Sequence, residues 1–188
     1  MVVLLEDECH LLWGDVCGYA WGVRGEPIEV PMTNQKQRQT YYGALNFVTH
    51  QLHLKAFPAG NSQHTQAYLE WLRELSPGQK LLVLWDGASY HRDGASYHRD
   101  GALHEFLAHI NQGLAEADWR ITLCRFAPNA PEQNPVEDVW LAAKNHRRRC
   151  FAQNLTFPQV KNCFCAFLQN FSLQSAKFDW YAPDLQII

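Results

Sequence analysis

The chain has 188 residues, 47% of them hydrophobic, which is enough for one sizeable core and makes a single domain over 1–188 the expectation. Aromatic residues reach 13%, too many for a disordered polymer, and the longest apolar runs, VVLL and LLVLW, are far too short to cross a bilayer. A formal net charge of −3 excludes a globally basic nucleic-acid binder, although Lys144, His146, Arg147, Arg148 and Arg149 crowd one segment.

In chain order, 2–6 (VVLLE) reads as a buried strand that HLLWG at 10–14 continues after a kink. CGYAWGVRGEPIEV reads as a hairpin leading to a second strand. RQTYYGALNFVT and HLKAF, rich in β-branched and aromatic residues, read as two more antiparallel strands. The period then changes to 3.6. Tyr68, Trp71, Leu72 and Leu75 mark a helix face that Ser76-Pro77-Gly78 ends. LLVLW at 81–85 is apolar on both faces, as a covered central strand is. Leu103, Phe106, Leu107 and Ile110 form a second helical stripe, and RITLCRF another strand. Val136, Val139, Trp140 and Ala143 form a third stripe that starts at Asn134-Pro135. Val160, Phe164, Phe167 and Phe171 form a fourth, and the tail FDWYAPDLQII is expected to pack back on the body. Strands first and then alternating helices and strands imply an α/β fold, a mixed sheet flanked by helices. Six cysteines, at 9, 17, 124, 150, 163 and 165, have neither paired zinc spacing nor the density of a secreted scaffold. Cys163 and Cys165 read as two small core residues on an apolar helix, and a reduced cytoplasmic protein follows.

Three positions could carry chemistry. Asp7 closes the first strand, where Glu6, Asp7 and Glu8 could equally be charges meeting water. Asp86 directly follows LLVLW; Asp-Gly is a common turn pair, yet open α/β sheets bind ligands at the C-terminal ends of central strands. Glu137 stands where a capping box with Asn134 would place its acid. Lys144 and Arg148 lie on the same helix face as Glu137, an arrangement that packing alone does not require. Converged, the three carboxylates would repel one another, and a divalent cation with a taste for oxygen would remove the penalty. Two such ions could clamp the attacking and leaving oxygens of a phosphodiester.

LLEDECHLLWG, LLVLW with DGASYHR, and RFAPNAPEQNPVEDVWLAAK closely resemble the DDE-superfamily transposases of the mariner-like bacterial insertion sequences. The resemblance covers nearly the whole chain and is most specific in the N-P-x-E-x-x-W segment. It implies a ribonuclease H-like catalytic domain whose catalytic, metal-binding acids are Asp7, Asp86 and Glu137. The implied cofactor is Mg²⁺ or Mn²⁺, two ions. The implied activity is cleavage of transposon ends and strand transfer into target DNA, as a metal-dependent endonuclease working as a homodimer in the cytoplasm, at the nucleoid. Lys144, Arg147 and Arg148 would hold the DNA backbone. Family members carry helix-turn-helix regions ahead of the catalytic domain. Here Asp7 follows Met1 by six residues, so the resemblance implies the catalytic half alone, either a truncated copy or one reading frame of a split element that has a separate N-terminal DNA-binding polypeptide as a partner.

The chain also departs from the family in repeating DGASYHR: residues 93–99 duplicate 86–92, and a third DGA follows at 100–102. Asp86, Asp93 and Asp100 therefore compete for one role. Only Asp86 follows the apolar run, and sliding the strand by seven residues would forfeit five core side chains at roughly 1.5–3 kcal/mol each. Looping out seven residues costs far less, because closure entropy grows slowly with length. Asp86 is the expected ligand, and His91 and His98 are expected on the loop surface. The rival readings are an inactive or domesticated transposase remnant and a ribonuclease H-like nuclease or resolvase.

Overall fold

The spine of the sheet is β1 (Val2–Leu12). This computed structural model describes residues 1–14, 21–27, 29, 36–86, 101–127, 131–150 and 156–178. In it β1 pairs antiparallel with β2 (Arg38–Asn46), from Leu4↔Asn46 to Leu12↔Arg38, and β2 pairs antiparallel with β3 (Leu52–Phe57). On its other side β1 pairs in parallel with β4 (Leu81–Trp85), which in turn pairs in parallel with β5 (Ile121–Arg125). The order among the described residues is β3-β2-β1-β4-β5, the mixed sheet that the sequence pattern implies.

The two neighbours of β1 differ in reach. β2 follows it to Leu12, whereas β4 pairs with it only from Val2↔Leu81 to Leu5↔Leu84. From Glu6 onward β4 no longer covers that edge. The ladder to β2 also removes the expected kink: β1 runs unbroken, and Asp7 sits in mid-strand rather than after its end.

Pleating sends alternate side chains of β1 to opposite faces. Leu5, Cys9 and Leu11 share one core with Trp140, Val160 and Phe164, beneath α3 (Pro135–Arg149) and α4 (Phe157–Gln169). Leu4 shares the other with Tyr42, Tyr68 and Leu72, beneath α1 (Ser62–Leu75) and α2 (Gly101–Ile110). The helical stripes follow the sequence with two adjustments. On α1, Leu75 is 47% exposed in the last turn and Leu69 takes its place in the core. On α4, Val160 and Phe164 are buried, while Cys163 and Cys165 are half-buried instead of core residues. All four stripe residues of α3 are buried. Past α4 the chain returns to the body, where the buried Phe178 stacks on His50 at 4.0 Å between centroids.

Residues 87–100, with the second DGASYHR copy, His91, His98, Asp93 and Asp100, lie outside the described residues, as do the rest of the tail and residues 17–20, 28 and 30 of the expected hairpin. The described stretch 21–27 holds a turn and no strand. Among the described residues no helix is long and apolar enough to cross a membrane.

Candidate active site

Asp7 stands opposite Gly43 of β2 and is 6% exposed. Asp86 is the first residue after β4. The register that sets Leu5 beside Leu84 therefore brings it out level with Asp7, at the point where β1 loses its parallel partner. The carboxylate oxygens of Asp7, Glu8 and Asp86 lie within 4.8 Å of one another. Glu137, in the first turn of α3, completes the group electrostatically: among neighbouring charges it weighs most on Asp7, and Asp86 weighs most on Glu137.

Burial, and then the charges of Glu137, Glu8 and Asp86, hold the Asp7 carboxyl well above the usual range. Glu137 is raised by burial and by Asp86, and drawn back by Lys144 and Lys177. Glu6 is raised as well, first by burial and then by Glu8, Asp7 and Asp86. It is 2% exposed, and its Oε1 has no hydrogen-bond partner among the described residues. The reading of Glu6 and Asp7 as charges meeting water is thus corrected, since both are buried in the sheet. A crowd of desolvated carboxylates is stable only when protonated or neutralised by a cation. Carboxylate oxygens alone form a hard donor set that suits Mg²⁺ or Mn²⁺.

The start of α3 is fixed by Asn134. Its Oδ1 accepts from the Val136 N–H at 3.1 Å, capping the helix, while its Nδ2 donates to the Glu6 carbonyl at 2.9 Å. The residue that begins the helix therefore also ties it to β1, one position from Asp7. Pro135 follows at the first helical position, where a missing N–H does no harm. The expected capping box is not formed, and the Glu137 carboxylate stands in the field of Asp86 instead. One turn on, Trp140 lies over Gly43: a Cβ there would come within 2.5 Å of its Cζ2 and Cη2. The glycine opposite Asp7 is what lets α3 approach so closely.

Lys144 faces this site. Burial pushes the Cys9 thiol up to about 12, against the pull of Lys144, which hydrogen-bonds it. Arg148 is half-buried and donates to Asn145 Oδ1 at 3.1 Å. Arg147 departs from the expected DNA-contacting stripe: it is 1% exposed, and its guanidinium donates to the Trp13 carbonyl. It continues the buried spacing of Val136, Trp140 and Ala143 along α3 and faces inward. Sequence reasoning also missed Glu8, Gly43 and Lys177, which pairs with Asp138 at 2.9 Å. A glycine inside the strand pattern TYYGALN was the available signal for the close helix approach.

A mixed five-stranded sheet with helices on both faces and carboxylates where the central strands part is a ribonuclease H-like architecture. The chain belongs to the DDE superfamily endonuclease family, whose model matches residues 2–157. Solved structures similar to it include the Mos1 mariner paired end complex with Mn, with a TM-score of 0.59 and 13% identity over 95% of this chain and 50% of that one. The catalytic domain of Mos1 mariner transposase matches with a TM-score of 0.51 and 13% identity, over 95% of this chain and 73% of that one. A chain of the simian T-cell lymphotropic virus intasome in complex with PP2A regulatory subunit B56 gamma matches with a TM-score of 0.53 and 10% identity, over 92% and 50%. The chain thus spans about half the length of the first of these relatives. No curated protein matches it.

Proposed function

We propose that the chain is the catalytic domain of a transposase, cutting DNA at transposon ends and joining the released 3′-hydroxyl to target DNA. The observation that carries this reading is the meeting of Asp7 and Asp86 within 4.8 Å, with Glu137 coupled to both, in a chain of the DDE endonuclease family. Asp7, Asp86 and Glu137 are the metal ligands in this reading, and Glu8 is a further carboxylate at the same place. Divalent cations held there, two in number, would supply positive charge to the attacking and leaving oxygens of a phosphodiester. The similar Mos1 complexes with Mn and with Mg support that choice of ion.

The protein's own part is placement. β1 and β4 fix two acids by sheet register, and Asn134 and Trp140 fix the third by docking α3 on β1 and β2. Lys144 offsets the charge of Glu137 and, with Arg148, holds the phosphate backbone. Water and then a 3′-hydroxyl act as nucleophiles, so no side chain need form a covalent bond to DNA. Recognition of the ends belongs to a DNA-binding half, in the same protein or in a partner, and the complex on DNA is a homodimer acting at the nucleoid.

The test is an in vitro reaction with Mn²⁺, with and without an added N-terminal DNA-binding half. Joining of a pre-cut 3′-hydroxyl end to plasmid is the expected result, lost in Asp86→Asn. Nicking without joining would mark a ribonuclease H-like nuclease or resolvase, and failure both to bind metal and to cleave would mark an inactive remnant.

A further inference from the structure

The end of α3 opposite Glu137 meets α4 in a cluster of quite different chemistry. The donor atoms of His146, Cys150 and Cys163 all lie within 4.8 Å of one another, and all three residues are half-buried. His146 and Cys150 are one helical turn apart on α3, with Nε2 and Sγ 3.9 Å apart. Cys163 comes from α4, thirteen residues on, so the group closes across the helix pair. The His146 ring stacks on Phe167 of α4 at 4.6 Å, which holds its plane and presents Nε2 to the thiols. Cys150 is fixed as well: it is the C-cap of α3, its N–H bonded to the carbonyls of His146 and Arg147.

We propose that His146, Cys150 and Cys163 form a binding site for a thiophilic divalent cation, Zn²⁺ among the first-row ions, which clips α3 to α4. One imidazole and two thiolates are a borderline-soft donor set, unsuited to Mg²⁺ and suited to zinc. Bond lengths of about 2.3 Å to sulfur and 2.0–2.1 Å to nitrogen put tetrahedral donors roughly 3.5–3.8 Å apart. The 3.9 Å between His146 Nε2 and Cys150 Sγ needs only a slight contraction. Three protein ligands leave the fourth position to water. Binding converts each thiol to a thiolate, so two protons leave for each ion bound. Because protons compete with the ion for both thiolates, affinity climbs with pH.

The consequence is mechanical and does not depend on the transposase reading. Arg147, Arg148 and Arg149 lie between the two α3 ligands, so a bound ion would fix the basic last turn of the helix whose first turn carries Glu137. The sequence hid the site because its cysteines are thirteen residues apart with no C-x-x-C, although His-x-x-x-Cys at one helical turn was visible.

The test is a Co²⁺ titration of the whole chain, with thiols reduced, oxygen excluded and Mg²⁺ in excess to occupy the carboxylates. The expected result is a thiolate-to-cobalt charge-transfer band saturating at one equivalent and bleached by one equivalent of Zn²⁺. Cys150→Ser and Cys163→Ser should each weaken binding at least tenfold and shrink the band, with far-ultraviolet circular dichroism confirming that they fold. In the unaltered chain, Zn²⁺ should protect Cys150 and Cys163 from alkylation, read by peptide mass spectrometry, and leave the exposed Cys124 reactive. Absence of the band, a band unchanged in both serine variants, or alkylation of Cys150 and Cys163 at the same rate with and without Zn²⁺ would each overturn the proposal.

Discussion

Replacing Asp7 by Asn should make the metal-free protein more stable and the metal-loaded protein less so. Asp7 is buried beside Glu8 and Asp86, with carboxylate oxygens within 4.8 Å, and Glu137 adds a further negative charge. One pair of like charges at that distance repels by about 3 kcal/mol at an effective dielectric constant near 20. Partial protonation already relieves some of this, and Asn accepts the Glu8 backbone hydrogen bond less strongly than a carboxylate, a loss of about 1 kcal/mol. The net gain is then on the order of 1–2 kcal/mol, or about 2–8 °C in Tm for a chain of this size. Its pH dependence has a definite sign. Because the folded protein holds the Asp7 proton more tightly than the unfolded chain does, wild-type stability falls as pH rises from the ordinary carboxylate range through the raised folded value. The advantage of Asn should grow across that window and vanish in acid. Mg²⁺ at a hundred times its Kd would add about 2.7 kcal/mol to the wild type and little to the variant. Urea unfolding at pH 8 in EDTA and in Mg²⁺ reads both effects. A variant less stable than wild type in EDTA, or one that gains as much from Mg²⁺, would refute the assignment of Asp7 to a repulsive metal-binding cluster.

Gly43→Ala should cost about 1–3 kcal/mol in urea unfolding and depress DNA cleavage, since its Cβ would collide with Trp140 and lift α3 from β2. Arg147→Ala should destabilise by about 3 kcal/mol, leaving a cavity and an unbonded Trp13 carbonyl, while the salt dependence of DNA binding keeps its slope. Arg148→Ala should do the reverse, flattening that slope by about one unit in a binding titration with little loss of stability. Deleting residues 93–99 should preserve the fold and raise metal-dependent cleavage; Asp86→Asn should abolish cleavage and Asp93→Asn scarcely change it, and the opposite pattern in a cleavage assay would mean that another aspartate serves.

The elements were legible wherever one period dominated. LLVLW became β4, and the Val136, Val139, Trp140 and Ala143 stripe became the buried face of α3. What the sequence concealed was set by pairing partners. Nothing in LLEDECHLL says that β2 will hold the chain extended to Leu12, so a break was expected near the acids where none exists. Arg147 was misjudged because charge was weighed above position, although its spacing from Trp140 and Ala143 already placed it on the core face. Lys177 and the second hydrogen bond of Asn134 depend on contacts more than a hundred residues apart or across separate elements, and no local pattern reports such contacts.

The site itself follows from one mismatch in strand length. Pleating should divide the triplet Glu6, Asp7 and Glu8 between the two layers. The effects on neighbours agree: Tyr42 and Tyr68 on the α1 side respond to Glu6 and Glu8, and Cys9 on the α3 side responds to Asp7. In a sheet covered along both edges, acids on opposite faces would stay apart. Here β4 stops pairing at Leu5, so the β1 edge from Glu6 onward is open where Asp86 emerges, and Glu8 and Asp7 can approach the same carboxylate from either side. The duplication begins at Asp86, directly past Trp85. It therefore adds its residues after the register of β1 against β4 has been set, and the position of Asp86 depends on LLVLW alone.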